Sequence, residues 1–332
     1  HTPGTAFSIK PGIYLLKKLN TGTTGTATAE FYAPKAIIST PLVIHQPVAE
    51  VSSKTSFSIV AEINGFDSTD NVSIELRNAT NKWKTVPMKQ VKAYGYKADV
   101  PADMVTPGVI NYRIMIKKAN GETTVFPGGF KGNPYAWDEY RNESWQTFVA
   151  SPQAPVELFN ATTDKSGVVL YNNDWRNNSV EYITADKPGQ LLLKTSMNKP
   201  AANQIMGWQY FFKDKISGRS EELSSFTKMA IRARSSDEAK AQISLITTNA
   251  QAFATTLSLR KEFQEFEIPL SSLIKDSMLL LPRPYPGFQP LYFTPDSKIP
   301  FSVADAEKLE IRFSSPGAKP LSIEIESVWL KK

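Results

Sequence analysis

The chain contains no cysteine. That excludes a disulfide framework and every reaction that runs through a thiolate. Histidine is almost as scarce: His1 and His45 stand alone. Nearly every Ser-His-Asp relay, histidine-based zinc site or HExxH motif is thereby removed. No apolar run approaches the roughly 20 residues of a membrane-spanning helix; the longest, Met278–Leu281, stops at Pro-Arg-Pro. The opening residues His1-Thr-Pro-Gly carry no charged n-region and no apolar h-region, so a signal has been removed or the chain is a piece of something longer. Walker and Rossmann glycine patterns, fixed-period repeats and low-complexity tracts are missing too.

What is present suits short strands. The hydrophobic fraction of 41% is that of a globular core. The 23 prolines and 17 glycines are spread among Thr, Val and Ile, as in strands joined by many turns. The formal net charge is +6. It fits a surface with excess Lys, or an acidic polysaccharide or nucleic acid as partner. No run of five basic residues and no RNP, helix-turn-helix or zinc-finger pattern occurs, so nucleic acid is not expected.

Residues 1–46 alternate Thr/Gly turns with strand-like pieces at Phe7–Ile9, Ile13–Leu16, Ala29–Tyr32 and Ala36–Ile38. This is too little chain to bury a core, so it docks on the next unit or is the tail of a missing domain. Residues 47–132 predict a small β-sandwich: Phe57, Ile59 and Ala61 alternate, as do Val72, Ile74 and Leu76, and Ile110 through Ile116, with Asn120-Gly121 as a hairpin turn. Trp83 fits the core or the surface. Residues 133–155, bounded by prolines and rich in aromatics, read as a linker in which Trp137 and Trp145 pack against a domain. Residues 156–332 predict ten or eleven strands, hence a two-sheet jelly roll, with a long loop at Met278–Pro300 that holds Tyr285, Phe288, Tyr292 and Phe293.

Two stretches carry a family resemblance. In Lys261–Leu273, KEFQEFEIPLSSL, Phe266, Ile268 and Leu270 alternate with Glu265, Glu267 and Pro269. The chain closes with LSIEIESVWLKK, in which Leu321, Ile323, Ile325, Val328 and Trp329 are the apolar positions. Together with FTKMAIRARS at Phe226–Ser235, they resemble the late and central strands of the galactose-binding-like jelly roll of many carbohydrate-binding modules. Residues 47–132 resemble an immunoglobulin-like or fibronectin type III-like module. The fold class expected is therefore all-β: an immunoglobulin-like sandwich followed by a jelly roll, as in accessory regions of secreted bacterial glycoside hydrolases. The resemblance also implies a structural Ca²⁺ held near the first and last strands of the jelly roll, at Glu157 and Glu326. Glu326-Ser327 departs from the Asp-Asn common there.

Sugar recognition needs aromatic faces to stack on pyranose C–H faces and planar polar groups to satisfy hydroxyls. Tyr171, Asn173, Asp174, Trp175 and Arg176 supply both in one short stretch, and Trp208 and Tyr210 share a strand face. These seven are the candidate site. The competing reading makes the aromatics core and Asn172–Asn178 a polar turn. The adjacent acids Glu221-Glu222 and Asp138-Glu139 would point to opposite faces of a strand, so no glycosidase pair is legible. Ser225-Phe-Thr-Lys228 matches Ser-x-x-Lys without its companion motifs.

The expected function is non-catalytic glycan binding in an exported protein, secreted, periplasmic or at the cell surface. Its partners would be a polysaccharide or oligosaccharide and a catalytic domain outside this chain. A structural scaffold for a glycoside hydrolase and a β-sandwich hydrolase or lyase are the alternatives.

Overall fold

The computed structural model describes residues 41–332, except 66–69, 79–81, 138–140, 172–173, 175, 282–290, 297 and 316. The strands expected before residue 40 lie outside the described residues. The class is all-β, as expected, with short 3-10 turns as the helical elements among the described residues.

Eleven strands precede residue 151: β1 Leu42–Ile44, β2 Glu50–Ser52, β3 Phe57–Asn64, β4 Asn71–Asn78, β5 Lys84–Pro87, β6 Lys89–Gln90, β7 Gly95–Val100, β8 Gly108–Lys117, β9 Thr123–Phe126, β10 Phe130–Lys131 and β11 Trp145–Ala150. They form a four-stranded sheet, β1-β3-β7-β6, and a seven-stranded sheet built around β8. Ile59, Ile63, Ile74, Leu76, Ile110 and Ile114 meet between the sheets, each 1% exposed or less. Their spacing of two puts one row of each strand indoors.

Two expectations are corrected here. The segment 133–155 is not wholly a connector, because β11 lies antiparallel to β8 and parallel to β2. Trp145 packs edge-on against His45 with centroids 4.8 Å apart and lies 5.9 Å from Tyr112. β1, at the end of the 1–46 segment, pairs with β3 of the next unit. Both strands are short and sit beside prolines, which masks their alternation. Trp137, expected to pack, is 93% exposed. Trp83 is half-buried outside the core cluster, with the Arg77 and Arg113 guanidinium carbons 4.6 and 4.8 Å from its ring centre.

The second sandwich contains β12 Val156–Asn160, β13 Val168–Tyr171, β14 Asn178–Thr184, β15 Leu191–Met197, β16 Gln204–Phe211, β17 Lys228–Ser235, β18 Ala239–Thr247, β19 Ala252–Leu259, β20 Gln264–Pro269, β21 Ile274–Asp276, β22 Met278–Leu279, β23 Tyr292–Phe293, β24 Ala306–Ser315 and β25 Leu321–Lys331. One sheet runs β14-β15-β25-β17-β20 with β12 on β25; the other runs β13-β16-β24-β18-β19-β21; β22 and β23 make a separate ribbon. In β25 a bulge at Glu326 changes the parity, so Ile323 and Ile325 face inward before it and Val328 and Leu330 after it. β20 ends at Pro269, which has no N–H for a further ladder bond.

Arg219 joins the two sandwiches. Its guanidinium, 1% exposed, donates to Glu50 at 2.6 Å, to Glu222 at 2.5 Å and to the carbonyls of Pro155 and Ala154 at 2.8 Å each. Ser52 adds a hydrogen bond to Glu222 at 2.7 Å. Gly218 lets the chains close in, since a Cβ there would stand 2.1 Å from the Glu50 carbonyl oxygen.

Candidate functional site

Strand parity decides what each face of the β16-β24 sheet offers. Trp208 and Tyr210 do share a face, but it is the inner one. Trp208 is 1% exposed and Tyr210 8%, and both rings pack on Phe159 at 4.8 and 5.3 Å. Rings enclosed in this way offer no face to a sugar, so the expected stacking role of Trp208 and Tyr210 is corrected to core packing. The residues on either side of Trp208, Gly207 and Gln209, face outward.

Asn173 and Trp175 lie outside the described residues. Asp174 organises a turn: it accepts from the Arg176 and Asn177 amides at 3.2 and 3.3 Å and from the Asn177 side chain at 2.8 Å. The Asn177 side-chain hydrogen bond, foremost, holds its carboxyl below the usual carboxylate range. Arg176 is exposed beside it. Tyr171 falls on the outer face, in register with Gly207, and is 1% exposed.

Across that outer face runs one cross-strand row: Tyr171, Gly207, Arg312, Gln242 and Thr256, paired strand by strand. Gly207 is required in it, because a Cβ would stand 2.7 Å from the Ile311 carbonyl oxygen and 2.9 Å from Arg312 Cβ. Arg312 Nε donates to Gln242 Oε1 at 3.1 Å, and its Nη2 lies 3.3 Å from Asp276 Oδ2. Gln242 Nε2 donates to the same Asp276 oxygen. Guanidinium, amide and carboxylate thus hold one another's planes fixed.

Above the row is a cleft of about 410 Å³, lined among others by Lys240, Gln242, Thr256, Ser277, Tyr292 and Arg312. Tyr292, 43% exposed on the ribbon, is its aromatic wall, with the Arg312 guanidinium carbon 5.1 Å from the ring centre. Burial raises the Tyr292 phenol above its usual value, so it keeps its proton for donation. The cleft therefore combines an aromatic face with donors and acceptors in fixed planes.

The alternation of Leu309, Ile311 and Phe313 with Glu310 and Arg312 is the sequence signal for this outer face. Glu310 lies on the same face beside Arg312, 1% exposed, and burial raises its carboxyl above the usual range. Of the acids weighed for a glycosidase pair, Glu222 is occupied by Arg219. Asp138 and Glu139 lie outside the described residues.

The residues expected to hold Ca²⁺ face cations of the chain itself. Glu157 accepts from Lys215 at 2.7 Å and from Asn160 at 2.8 Å, and Glu326 accepts from Arg232 at 2.8 Å. Lys215 also reaches Asp164 at 2.7 Å. Among the described residues, no group of three or more acidic or histidine side chains is arranged to hold a metal ion, and no helix is long and apolar enough to cross a membrane.

The chain is similar to several solved structures. One is a family 11 carbohydrate-binding module from Clostridium thermocellum in complex with a β-1,3-1,4-mixed-linked tetrasaccharide, at 11% identity over 54% of this chain and 96% of that one, TM-score 0.39. Another is a family 30 carbohydrate-binding module of a cellulosomal cellulase of the same organism, at 11% identity over 54% and 98%, TM-score 0.33. A third is an exo-β-agarase, at 11% identity over 53% and 25%, TM-score 0.34. No protein-family model and no curated protein matches the chain.

Proposed function

We propose that the chain binds a glycan, without a covalent step, in the cleft over Arg312, Gln242 and Thr256. The observation that carries this reading is the cross-strand row itself, with Tyr292 standing over it. A pyranose needs one apolar face covered and its hydroxyls paired. Tyr292 supplies the first, and the Gln242 amide, Thr256 hydroxyl, Lys240 ammonium and Arg312 guanidinium the second. Glu310 lies beside the row on the same face, covered by Leu279 of the ribbon, and does not line the cleft, which favours binding over hydrolysis. With a polymeric glycan as ligand, we extend the proposal to a protein that works outside the cytoplasm as an accessory unit of polysaccharide processing.

The test is retardation of the whole chain in gels containing neutral or acidic polysaccharide, at low and moderate salt, beside Tyr292→Ala and Gln242→Ala. Retardation lost in both variants supports the cleft. Retardation unchanged in both removes it.

A second reading, a scaffold packed on another domain, is favoured by one observation. Leu42, Ile44 and Val60 are 57, 61 and 48% exposed on neighbouring strands β1 and β3. Absence of retardation by every polysaccharide would favour it.

A further inference from the structure

Glu310 stands in the middle of β24 with its charge away from water. Its Oε2 accepts the Leu279 amide at 2.9 Å and the Gln209 side-chain amide at 2.6 Å. Gln209 Nε2 also donates to the Leu279 carbonyl at 2.6 Å. Two side chains therefore take both backbone polar groups of Leu279, which a neighbouring strand would ordinarily do. Leu279 lies opposite Tyr292 in the ribbon, and the Leu280 amide donates to the Leu291 carbonyl at 2.9 Å. A hydrogen-bonded path thus runs from the buried carboxylate to the aromatic wall of the cleft.

A buried carboxylate is costly, and here the cost is incompletely offset. Glu310 Oε1 has no hydrogen bond and faces Arg312 Nη1, itself without one, at 3.5 Å. An apolar pair in place of Glu310 and Arg312 would leave the sheet no weaker. It would, however, leave Leu279 unheld. What the carboxylate adds is the location of the ribbon.

We propose that Glu310, together with Gln209, is the positioning residue of the cleft: it touches no ligand, and it fixes the ribbon so that Tyr292 stands over the Gln242–Arg312 floor. This rests on the glycan-binding reading above.

The experiment compares the full chain with Glu310→Met, Glu310→Gln and a control on the other sheet, Glu324→Gln. Amide hydrogen exchange is followed at residues 278–280 and 291–293. Binding is measured with soluble neutral β-glucan, agarose oligosaccharides and alginate oligosaccharides. In Glu310→Met, exchange should accelerate about tenfold or more, confined to the ribbon. Affinity for whichever probe the parent binds should fall about tenfold. Glu310→Gln, which keeps an acceptor for the Leu279 amide, should recover part of both, and Glu324→Gln should change neither. Faster ribbon exchange with parental affinity overturns the proposal, and so does unchanged exchange. If the parent binds none of the three probes, the glycan reading fails separately. The exchange comparison then still decides: acceleration confined to the ribbon upholds the positioning role, and no acceleration overturns it.

Discussion

Arg219 of the second sandwich donates to Glu50 of the first at 2.6 Å from a site that is 1% exposed. One guanidinium thus satisfies carboxylates on both sides and two carbonyls of the connecting chain, and it orients the two units.

Replacing Arg219 by Met should uncouple the sandwiches. Glu222 would keep only Lys332, at 3.2 Å, as a charge partner at a closed interface. The cost should be about 2–3 kcal/mol, below the roughly 3–5 for a fully buried pair because Glu50 is 39% exposed. Calorimetry should resolve two transitions where the parent shows one. A single transition at the parental midpoint would show that the interface is held elsewhere.

The same interface should weaken in acid. Burial alone would raise the Glu222 carboxyl, but hydrogen bonds from Arg219 and Ser52 outweigh it and hold it below the ordinary value. A depressed folded value means stability present above the unfolded value and lost as pH falls through the folded one. Glu310 has the opposite sign. Raised by burial, it contributes most below the unfolded value, and that contribution is lost as pH rises through its folded value. Melting profiles of Glu222→Gln should therefore be flatter than the parent's at acid pH, and those of Glu310→Gln flatter above the ordinary carboxylate range. Parallel profiles for all three chains would refute both assignments.

Trp208 and Tyr292 should separate stability from binding. Trp208→Ala should cost about 3–5 kcal/mol in urea unfolding, because it empties a core position against Phe159. Tyr292→Ala, exposed, should leave unfolding nearly unchanged while glycan affinity falls about tenfold. The reverse pattern would return the stacking role to Trp208.

Gly207→Ala tests the row. Its new Cβ meets the Ile311 carbonyl and Arg312 Cβ, so β16 and β24 must part. Overpacking of this kind should cost about 1–3 kcal/mol. Glycan affinity should fall with it, since Arg312 shifts, and both are read on one purified variant by melting and gel retardation. Full stability and affinity would mean the strands have slack.

The all-β class was legible because alternation is local: Glu265–Leu270, Leu309–Phe313 and Leu321–Ile325 each display period two over a few residues. The strand β11 was obscured because only Trp145, Thr147 and Val149 mark its inner face, and one of these is polar. The bulge at Glu326 could not be read from LSIEIESVWLKK, where it looks like an ordinary break in alternation.

For the site, local sequence determined that Trp208 pairs with Tyr210 and Gly207 with Gln209, since alternate side chains of a strand must share a face. Which pair faced outward depended on the sheet packed against β16. Phe159, from β12 of the other sheet, claimed the aromatic pair. The row Tyr171-Gly207-Arg312-Gln242-Thr256 likewise has members from five strands, joined by ladder registers that no single stretch contains. Glu310 and Leu279 are separated by 31 residues and meet through one hydrogen bond. Alternation is set by backbone geometry and is written in the chain; burial is set by which surfaces meet, and only the packed sheets decide it.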